Sequence, residues 1–124
     1  MKYVGIVLIS HSSKIVEGLK DIIRQVIQEV PIEIAGGTDD DEVGTSLGKI
    51  MNAIHTANVG RGVLVFYDLG SAKMNAEMAL EMGESSNVKI VEAPLIEGAY
   101  VAAVESNMGK DLEAVYKAVL QELS

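Results

Sequence analysis

The feature that most constrains the fold is a short apolar run, Val4–Ile9, which ends at Ser10-His11-Ser12 and leads directly into a helical pattern. The run is rich in Val and Ile and does not alternate with polar residues, which is typical of a strand buried on both faces. Apolar residues then recur at helical spacing over residues 13–29. A doubly buried strand followed by an amphipathic helix favours a parallel sheet covered by helices.

The same alternation of strands and helices continues along the chain. Strands are predicted at 3–10, 32–35, 62–67 and 88–91, and helices at 13–29, from Ser46 to Asn58, from about 71 to 82, at 95–106 and at 110–123. Because crossovers between parallel strands are right-handed, this pattern predicts an α/β three-layer sandwich. Its central, mainly parallel sheet has strand order 2-1-3-4, with helices on both faces. A length of 124 residues predicts one domain over 1–124.

Charge and cysteine content restrict the class of protein. The net charge of −8 argues against nucleic acid and against an anionic membrane surface as a partner. The chain has no cysteine, so disulfides and thiolate chemistry are absent and a reducing compartment is compatible. The apolar first ten residues are too short to span a membrane and lack a signal-cleavage pattern. We therefore expect a cytoplasmic protein that binds neither nucleic acid nor membrane.

His11 and Asp68 are the candidate catalytic residues. They follow strands one and three, which are neighbours in the predicted order, and ligands bind at the carboxyl ends of such strands. A carboxylate that accepts the Nδ1 proton of the imidazole would leave Nε2 free as a nucleophile. The alternatives are a histidine that caps a neighbouring backbone group and an aspartate that caps the third helix or forms its turn.

Small polar residues stand at three predicted helix starts near these strand ends. They are Ser12, Thr45 within Gly44-Thr45-Ser46, and the pair Gly70 and Ser71. Helix starts carry unpaired backbone N–H groups, so these residues are candidates for binding a phosphate. Each pattern alone is equally a cap or a turn. The chain contains no G-x-x-x-x-G-K-[ST] or G-x-G-x-x-G pattern, so nucleotide binding by those loops is unsupported.

Two further polar features are better explained without a metal-binding or catalytic role. The acidic run Asp39–Glu42 lacks the spacing of an EF-hand, so we interpret it as a solvated, self-repelling loop that could steer a basic partner. We interpret His55 as an exposed or half-buried residue of the second helix. We expect neither a metal nor a cofactor.

Two helices have unusual side chains. Met74, Met78 and Met82 recur every four residues on the third helix, which is usually core filler but also suits an adaptable contact surface. The helix at 95–106 is rich in small residues. It could pack closely against the sheet or against a second subunit.

Five short motifs, taken in order, resemble those of the phosphotransferase subunits (DhaM) of bacterial dihydroxyacetone kinases. That family is similar to the enzyme IIA domain of the mannose-type phosphotransferase system. The resemblance covers essentially the whole chain and rests on Ile-Ser-His-Ser-Ser at 9–13, Gly-Gly-Thr at 36–38, Gly-Thr-Ser at 44–46, Asp-Leu-Gly-Ser-Ala at 68–72 and Glu-Ala-Pro-Leu-Ile-Glu-Gly-Ala at 92–99.

The resemblance implies a phosphohistidine carrier. His11 would accept a phosphoryl group on Nε2 from the phosphocarrier protein HPr and pass it to ADP on the nucleotide-binding subunit of the kinase. Asp68 would orient the ring, and Thr45 and Ser71 would supply donors around the phosphate. The family also implies a homodimer.

Other functions remain open at this point. A mannose-type relative would pass the phosphoryl group to a sugar-transporter IIB domain, and an interaction module would use His11 only structurally. A response-regulator receiver with Asp68 as phosphoacceptor would need an acidic cluster after strand one, where Ser10-His11-Ser12 stands. A histidine mutase or phosphatase would usually place an arginine beside the nucleophile, and neither Arg24 nor Arg61 is so placed.

Overall fold

The computed structural model describes residues 2–83 and 86–123. Within these residues, strands and helices alternate up to α4. The elements are β1 (Gly5–Ser10), α1 (Ser13–Arg24), β2 (Ile32–Gly36), α2 (Leu47–Ala57), β3 (Val63–Tyr67), α3 (Gly70–Met82), β4 (Val88–Ile90), α4 (Leu95–Asn107) and α5 (Leu112–Glu122). None of the described helices is long and apolar enough to cross a membrane.

The sheet has the order β2-β1-β3-β4, and all of its pairings are parallel. Every residue of the central strand β1 is buried, as its continuous apolar sequence predicts. The α/β fold and the strand order 2-1-3-4 are therefore confirmed. The order places the carboxyl ends of β1 and β3 side by side, which positions the residues that follow them.

Side chains along β1 point alternately to the two faces of the sheet, so both faces carry apolar residues. Helices cover both faces and bury these residues in two core clusters. Ile6 and Leu8 contribute to one core cluster, which contains Phe66 and residues of α1, α4 and α5. Val7 and Ile9 contribute to the other cluster, which contains residues of α2 and α3. The predicted three-layer arrangement is thus confirmed.

The small residues of α4 face the sheet. Gly98 is buried, and a Cβ atom there would lie 3.0 Å from the ring of Phe66, a tight contact that glycine avoids. Ala99, Ala102 and Ala103 are also fully buried in this layer. Of the two predicted alternatives for this helix, the structure shows packing against the sheet.

The first helix is shorter than its apolar pattern predicts, since it ends at Arg24 instead of residue 29. The Arg24 guanidinium donates hydrogen bonds to the carbonyl oxygens of Ile27 and Gln28, which favours this early end. Val26 is exposed and Ile27 is buried in the core. The apolar spacing continues beyond Arg24 because Ile27 is buried just after the turn at residues 25–26, and periodicity does not distinguish such a residue from a helical one.

The methionine stripe of α3 is not core filler. Met74, Met78 and Met82 are all exposed, and the buried residues of this helix are alanines at 72, 76 and 79. Alanine lets the helix lie close to the sheet, which leaves the long methionine side chains on the outer face. Their prediction as core residues is wrong, and the alternative of a contact surface stays a prediction.

Candidate functional site

The candidate site lies where β1 and β3 end together. Ile9 is the register partner of Tyr67, so the residues that follow them leave the sheet at the same edge. The side chains of His11 and Asp68 meet there and are 22% and 17% exposed, respectively. The site is therefore a half-buried crevice at the carboxyl edge of the sheet, where ligands bind in folds of this kind.

Asp68 holds the imidazole of His11 in one orientation. Its Oδ1 lies 3.0 Å from Nδ1 of the ring, and its Oδ2 accepts a hydrogen bond of 2.9 Å from the backbone N–H of His11. An ionised carboxylate only accepts hydrogen bonds, so this contact requires the proton on Nδ1. In the neutral ring, Nε2 then carries the lone pair and can act as the nucleophile.

The Ser10 hydroxyl holds the carboxylate of Asp68 in place. Sequence analysis did not predict Ser10 as a functional residue. Its hydroxyl is fully buried, donates to Oδ2 of Asp68 at 2.9 Å and accepts from the backbone N–H of Ser12 at 3.0 Å. A serine is unusual within a doubly buried apolar strand, because a buried hydroxyl needs partners. The serine at the end of this apolar strand was therefore the sequence feature that could have identified Ser10 as part of the site.

Hydrogen bonds determine the charge of Asp68. Burial raises its pKa, but donation by the backbone N–H and ring of His11, by the Ser10 hydroxyl and by the Leu69 N–H outweighs burial, so the pKa is below its ordinary value. Asp68 is therefore ionised at neutral pH. Because folding lowers the pKa of Asp68, the ionised carboxylate stabilises the folded protein at pH values above its ordinary pKa. That stabilisation is lost as the pH falls through the pKa of Asp68 in the folded state.

We expect Ser10→Ala to raise the pKa of Asp68, since the carboxylate loses one donor, and to move the onset of acid unfolding to higher pH. The loss of this hydrogen bond should lower the free energy of unfolding by about 1 kcal/mol. An NMR titration of the Asp68 carboxyl carbon measures the pKa. Ser106→Ala is the matched control, because Ser106 is also fully buried and donates to the carbonyl of Val4. An unchanged Asp68 pKa in Ser10→Ala would contradict this role.

The Ser71 hydroxyl is hydrogen-bonded to Nε2 of His11, the nucleophilic nitrogen. Its Oγ lies 2.7 Å from Nε2, so with the proton on Nδ1 the Ser71 hydroxyl donates to Nε2. Ser71 therefore contacts the nitrogen that Asp68 leaves unprotonated, so Nε2 has a hydrogen-bond partner in the structure described. The reason is local: α3 begins directly after Asp68 and Leu69, and its first turn brings Ser71 against the ring. Ser71 is exposed, so its hydroxyl can rotate away.

The start of α3 presents backbone donors beside Nε2. The helix begins at Gly70, and its N-cap, Leu69, makes no side-chain cap hydrogen bond. The N–H of Ala72 donates to the Leu69 carbonyl at 2.9 Å, whereas the N–H groups of Gly70 and Ser71 have no acceptor in the described part of the chain. The alternative that Asp68 caps α3 is wrong, because the cap position belongs to Leu69. A helix start of this kind favours an anion.

The structure places Ser12 and Thr45 near His11 without a side-chain contact to its ring among the described residues. Ser12 is the N-cap of α1 but makes no side-chain cap hydrogen bond. Thr45 follows Gly44, whose N–H donates to the carbonyl of His11 at 2.9 Å. Gly44 has a φ of 143°, a conformation that other residues rarely adopt. The Thr45 hydroxyl accepts a hydrogen bond from Asn75, a residue that sequence reasoning missed.

The acidic loop is held more firmly than predicted. Asp39 accepts a hydrogen bond from the Ser46 hydroxyl, and Asp41 pairs with Lys49 at 2.7 Å. The ammonium of Lys49 also donates to the carbonyl of Gly36 at 3.1 Å, which ties the loop to the end of β2. All four residues of the loop are exposed, so its description as solvated is confirmed, while two of its carboxylates have partners within the chain. Over residues 2–83 and 86–123, no cluster of three or more His, Asp or Glu could hold a metal ion.

His55 does not join the site. It lies in the last turn of α2 and is exposed, whereas the N-terminal end of that helix faces the crevice through Gly44 and Thr45. A parallel α/β unit runs each helix back from the carboxyl edge of the sheet, so the end of α2 lies at the opposite edge. His11 alone is placed to use an imidazole in the crevice.

The chain is similar to known proteins both in sequence and in fold. The family model described as PTS system fructose IIA component (EIIA-man) matches residues 5–116. The chain is 42% identical over 111 residues to the Lactococcus lactis protein named PTS-dependent dihydroxyacetone kinase, phosphotransferase subunit DhaM, and the alignment covers 90% of this chain and 89% of that one. It is 41% identical over 111 residues to the Listeria innocua protein named PEP-dependent dihydroxyacetone kinase 1, phosphoryl donor subunit DhaM, with 90% and 88% covered.

A solved structure resembles the whole fold. The crystal structure of the unknown-function protein EF1359 has a TM-score of 0.88 to this chain at 35% sequence identity. The superposition covers 98% of this chain and 95% of that one. The likeness therefore extends over the sheet and all its covering helices.

Proposed function

The chain belongs to the EIIA-man family of the phosphotransferase system and to its DhaM branch, and from that premise we propose that it is a phosphohistidine carrier for dihydroxyacetone kinase. His11 takes a phosphoryl group from the phosphocarrier protein HPr and passes it to ADP on the nucleotide-binding subunit of the kinase. The observation that carries the proposal is the Asp68–His11 pair, which directs a basic Nε2 at the start of α3.

The chemistry is two displacements at phosphorus. The Nε2 lone pair of His11 forms a bond to phosphorus as the N–P bond of the phosphorylated donor protein breaks. In the second step a β-phosphate oxygen of ADP forms the new bond and the Nε2–P bond breaks, which yields ATP. The proton on Nδ1 stays in place throughout, and Asp68 compensates the positive charge of the ring while it carries the phosphoryl group.

The phosphoryl group would be held by hydrogen bonds alone. The Ser71 hydroxyl lies beside Nε2, and the N–H groups of Gly70 and Ser71 have no acceptor in the described residues. We assign Ser12 and Thr45 to the same cradle because Ser12 follows His11 directly and Thr45 follows Gly44, whose N–H donates to the His11 carbonyl. No arginine or lysine is hydrogen-bonded to the ring among the described residues. A cradle without a cationic clamp suits a carrier that has to release its phosphoryl group.

Exposed apolar side chains beside the site support a protein partner. Val43, which precedes Gly44, is 84% exposed, and Leu69, which follows Asp68, is 59% exposed. Ile96 at the start of α4 is also exposed. Val43 and Leu69 adjoin Gly44 and Asp68, which contact His11, so a partner that reaches the crevice would cover them. The neighbouring acidic loop, residues 39–42, would attract a partner with a basic surface.

We further propose a single enzyme IIA domain over residues 1–124 that acts in the cytoplasm as a homodimer, without metal or cofactor. The exposed methionines of α3 offer one surface for such a contact. Sedimentation or light scattering of the purified chain tests the dimer. A monomer at micromolar concentration would contradict it.

The decisive experiment is intact-mass analysis in two steps. The protein is incubated with phosphoenolpyruvate, enzyme I and HPr, and then with the nucleotide-binding subunit and ADP. We expect one acid-labile phosphoryl group after the first step, and its loss with formation of ATP after the second. Labelling that is not discharged to ADP would favour the sugar-transporter branch, and no labelling would contradict a carrier altogether.

A further inference from the structure

Asn75 connects the two segments that contact His11. It lies on α3 one turn beyond Ser71, and its side-chain Nδ2 donates a hydrogen bond to Oγ1 of Thr45. Both side chains are half-buried. The contact therefore joins α3 to the segment that precedes α2, across 30 residues of sequence.

Both segments also contact His11 directly. Ser71 reaches Nε2 from α3 at 2.7 Å, and the Gly44 N–H donates to the carbonyl of His11 from the other segment at 2.9 Å. Residues four apart on a helix share a face, so Asn75 lies on the same face of α3 as Ser71. The Thr45 hydroxyl consequently adjoins the crevice that Nε2 faces.

The hydrogen bond from Asn75 determines what the Thr45 hydroxyl can do. A hydroxyl has one proton and two acceptor lone pairs. The amide N–H of Asn75 fills an acceptor position and leaves the proton of Thr45 available. That proton has no acceptor among the residues that the structure describes. An available, oriented O–H that adjoins the crevice is suited to an oxygen of a phosphoryl group bonded to Nε2.

We propose that Asn75 is a positioning residue that presents the Thr45 hydroxyl as a hydrogen-bond donor to the phosphoryl group on His11. The inference rests on the proposed carrier function. Asn75 does not touch the reacting atoms and acts through Thr45. A purely structural Asn75 would stabilise the contact between α2 and α3 without affecting the phosphoryl group.

Four variants separate these roles. Thr45→Val removes the hydroxyl and keeps the shape, whereas Thr45→Ser keeps the hydroxyl. Asn75→Asp keeps the shape and reverses the hydrogen bond, because a carboxylate only accepts and turns the Thr45 proton away from the crevice. The double variant of Asn75→Asp and Thr45→Val tests whether both residues act through one hydroxyl. Asn52→Ala is the matched control, since Asn52 is an exposed asparagine on α2.

The measurements are the rate of phosphoryl transfer from HPr and the ³¹P resonance of the phosphorylated protein. We expect Thr45→Val and Asn75→Asp each to slow transfer roughly ten-fold and to shift the ³¹P resonance, as one donor to the phosphoryl group is lost. The double variant should be no slower than Thr45→Val alone, because both changes remove the same donor. Thr45→Ser keeps the hydroxyl and should recover most of the transfer rate lost in Thr45→Val, and Asn52→Ala should transfer at the rate of the unmodified protein.

Two outcomes would overturn the inference. Normal transfer and an unshifted ³¹P resonance in Asn75→Asp would show that the Asn75 donor does not matter to the phosphoryl group. A double variant that loses as much as both single losses combined would indicate a purely structural contribution. If the unmodified protein accepts no phosphoryl group at all, the carrier function itself fails, which is a distinct result from failure of Asn75 alone.

Discussion

His11→Ala should abolish phosphoryl acceptance completely while the fold is retained. The nucleophilic nitrogen is lost, and the only other histidine, His55, is remote from the crevice. The fold should survive because the two hydrogen bonds by which residue 11 anchors the site use its backbone: its N–H donates to Asp68, and its carbonyl accepts from Gly44. Loss of the ring contact to Asp68 should cost about 1 kcal/mol in the free energy of unfolding.

The measurement is intact mass after incubation with phosphoenolpyruvate, enzyme I and HPr, with circular dichroism to verify the fold. His55→Ala is the matched control, since it removes the other imidazole, which is exposed. It should be phosphorylated like the unmodified protein. A phosphorylated His11→Ala protein, or an unphosphorylated His55→Ala protein, would overturn the assignment of His11.

Asp68→Asn should slow phosphoryl transfer by roughly a hundred-fold or more, because the site needs a negatively charged acceptor opposite Nδ1. The two oxygens of Asp68 accept from the His11 backbone, its ring, the Ser10 hydroxyl and the Leu69 N–H. An amide replaces one oxygen by a donor group, which would face one of these donors and disturb the ring. The positive charge of a phosphorylated imidazole would also lose its compensation.

Rapid-quench measurement of transfer from phosphorylated HPr tests this expectation. Asp111→Asn is the matched control, because Asp111 caps α5 by accepting the N–H of Ala114 and lies far along the chain from the site. It should change stability slightly and leave transfer unaffected. An Asp68→Asn protein that transfers at the normal rate would remove Asp68 from the mechanism.

Together, these residues describe a site whose parts have separate tasks. Asp68 fixes the proton on Nδ1, and the buried Ser10 hydroxyl is one of the donors, after the His11 backbone and ring, that lower the pKa of that carboxylate. Ser71 protects Nε2 in the unphosphorylated protein and is placed to donate to the phosphoryl group after rotation. The variants described here affect different tasks, so their effects should differ in kind: lost acceptance, slowed transfer, or a shifted pKa.

The sequence by itself determined the layered fold, and with the predicted strand order it brought His11 to Asp68. Apolar runs record burial on both faces of a strand, and alternation with helices implies parallel pairing with right-handed crossovers. The order 2-1-3-4 was predicted for this pattern and is confirmed by the structure. Once β1 and β3 are neighbours, the residues after their carboxyl ends meet. This part of the site is a consequence of topology.

Only the tertiary structure decided which side chains complete the site. The contacts of Ser10 with Asp68, Ser71 with Nε2 and Asn75 with Thr45 each join residues at least 30 positions apart. Hydrogen-bond partners at such separations depend on how two segments pack, to within a few tenths of an ångström, and no local pattern records that distance. The exposed methionines show the same limit. Helical spacing places them on one face, but packing of the alanines against the sheet decides that this face points outward.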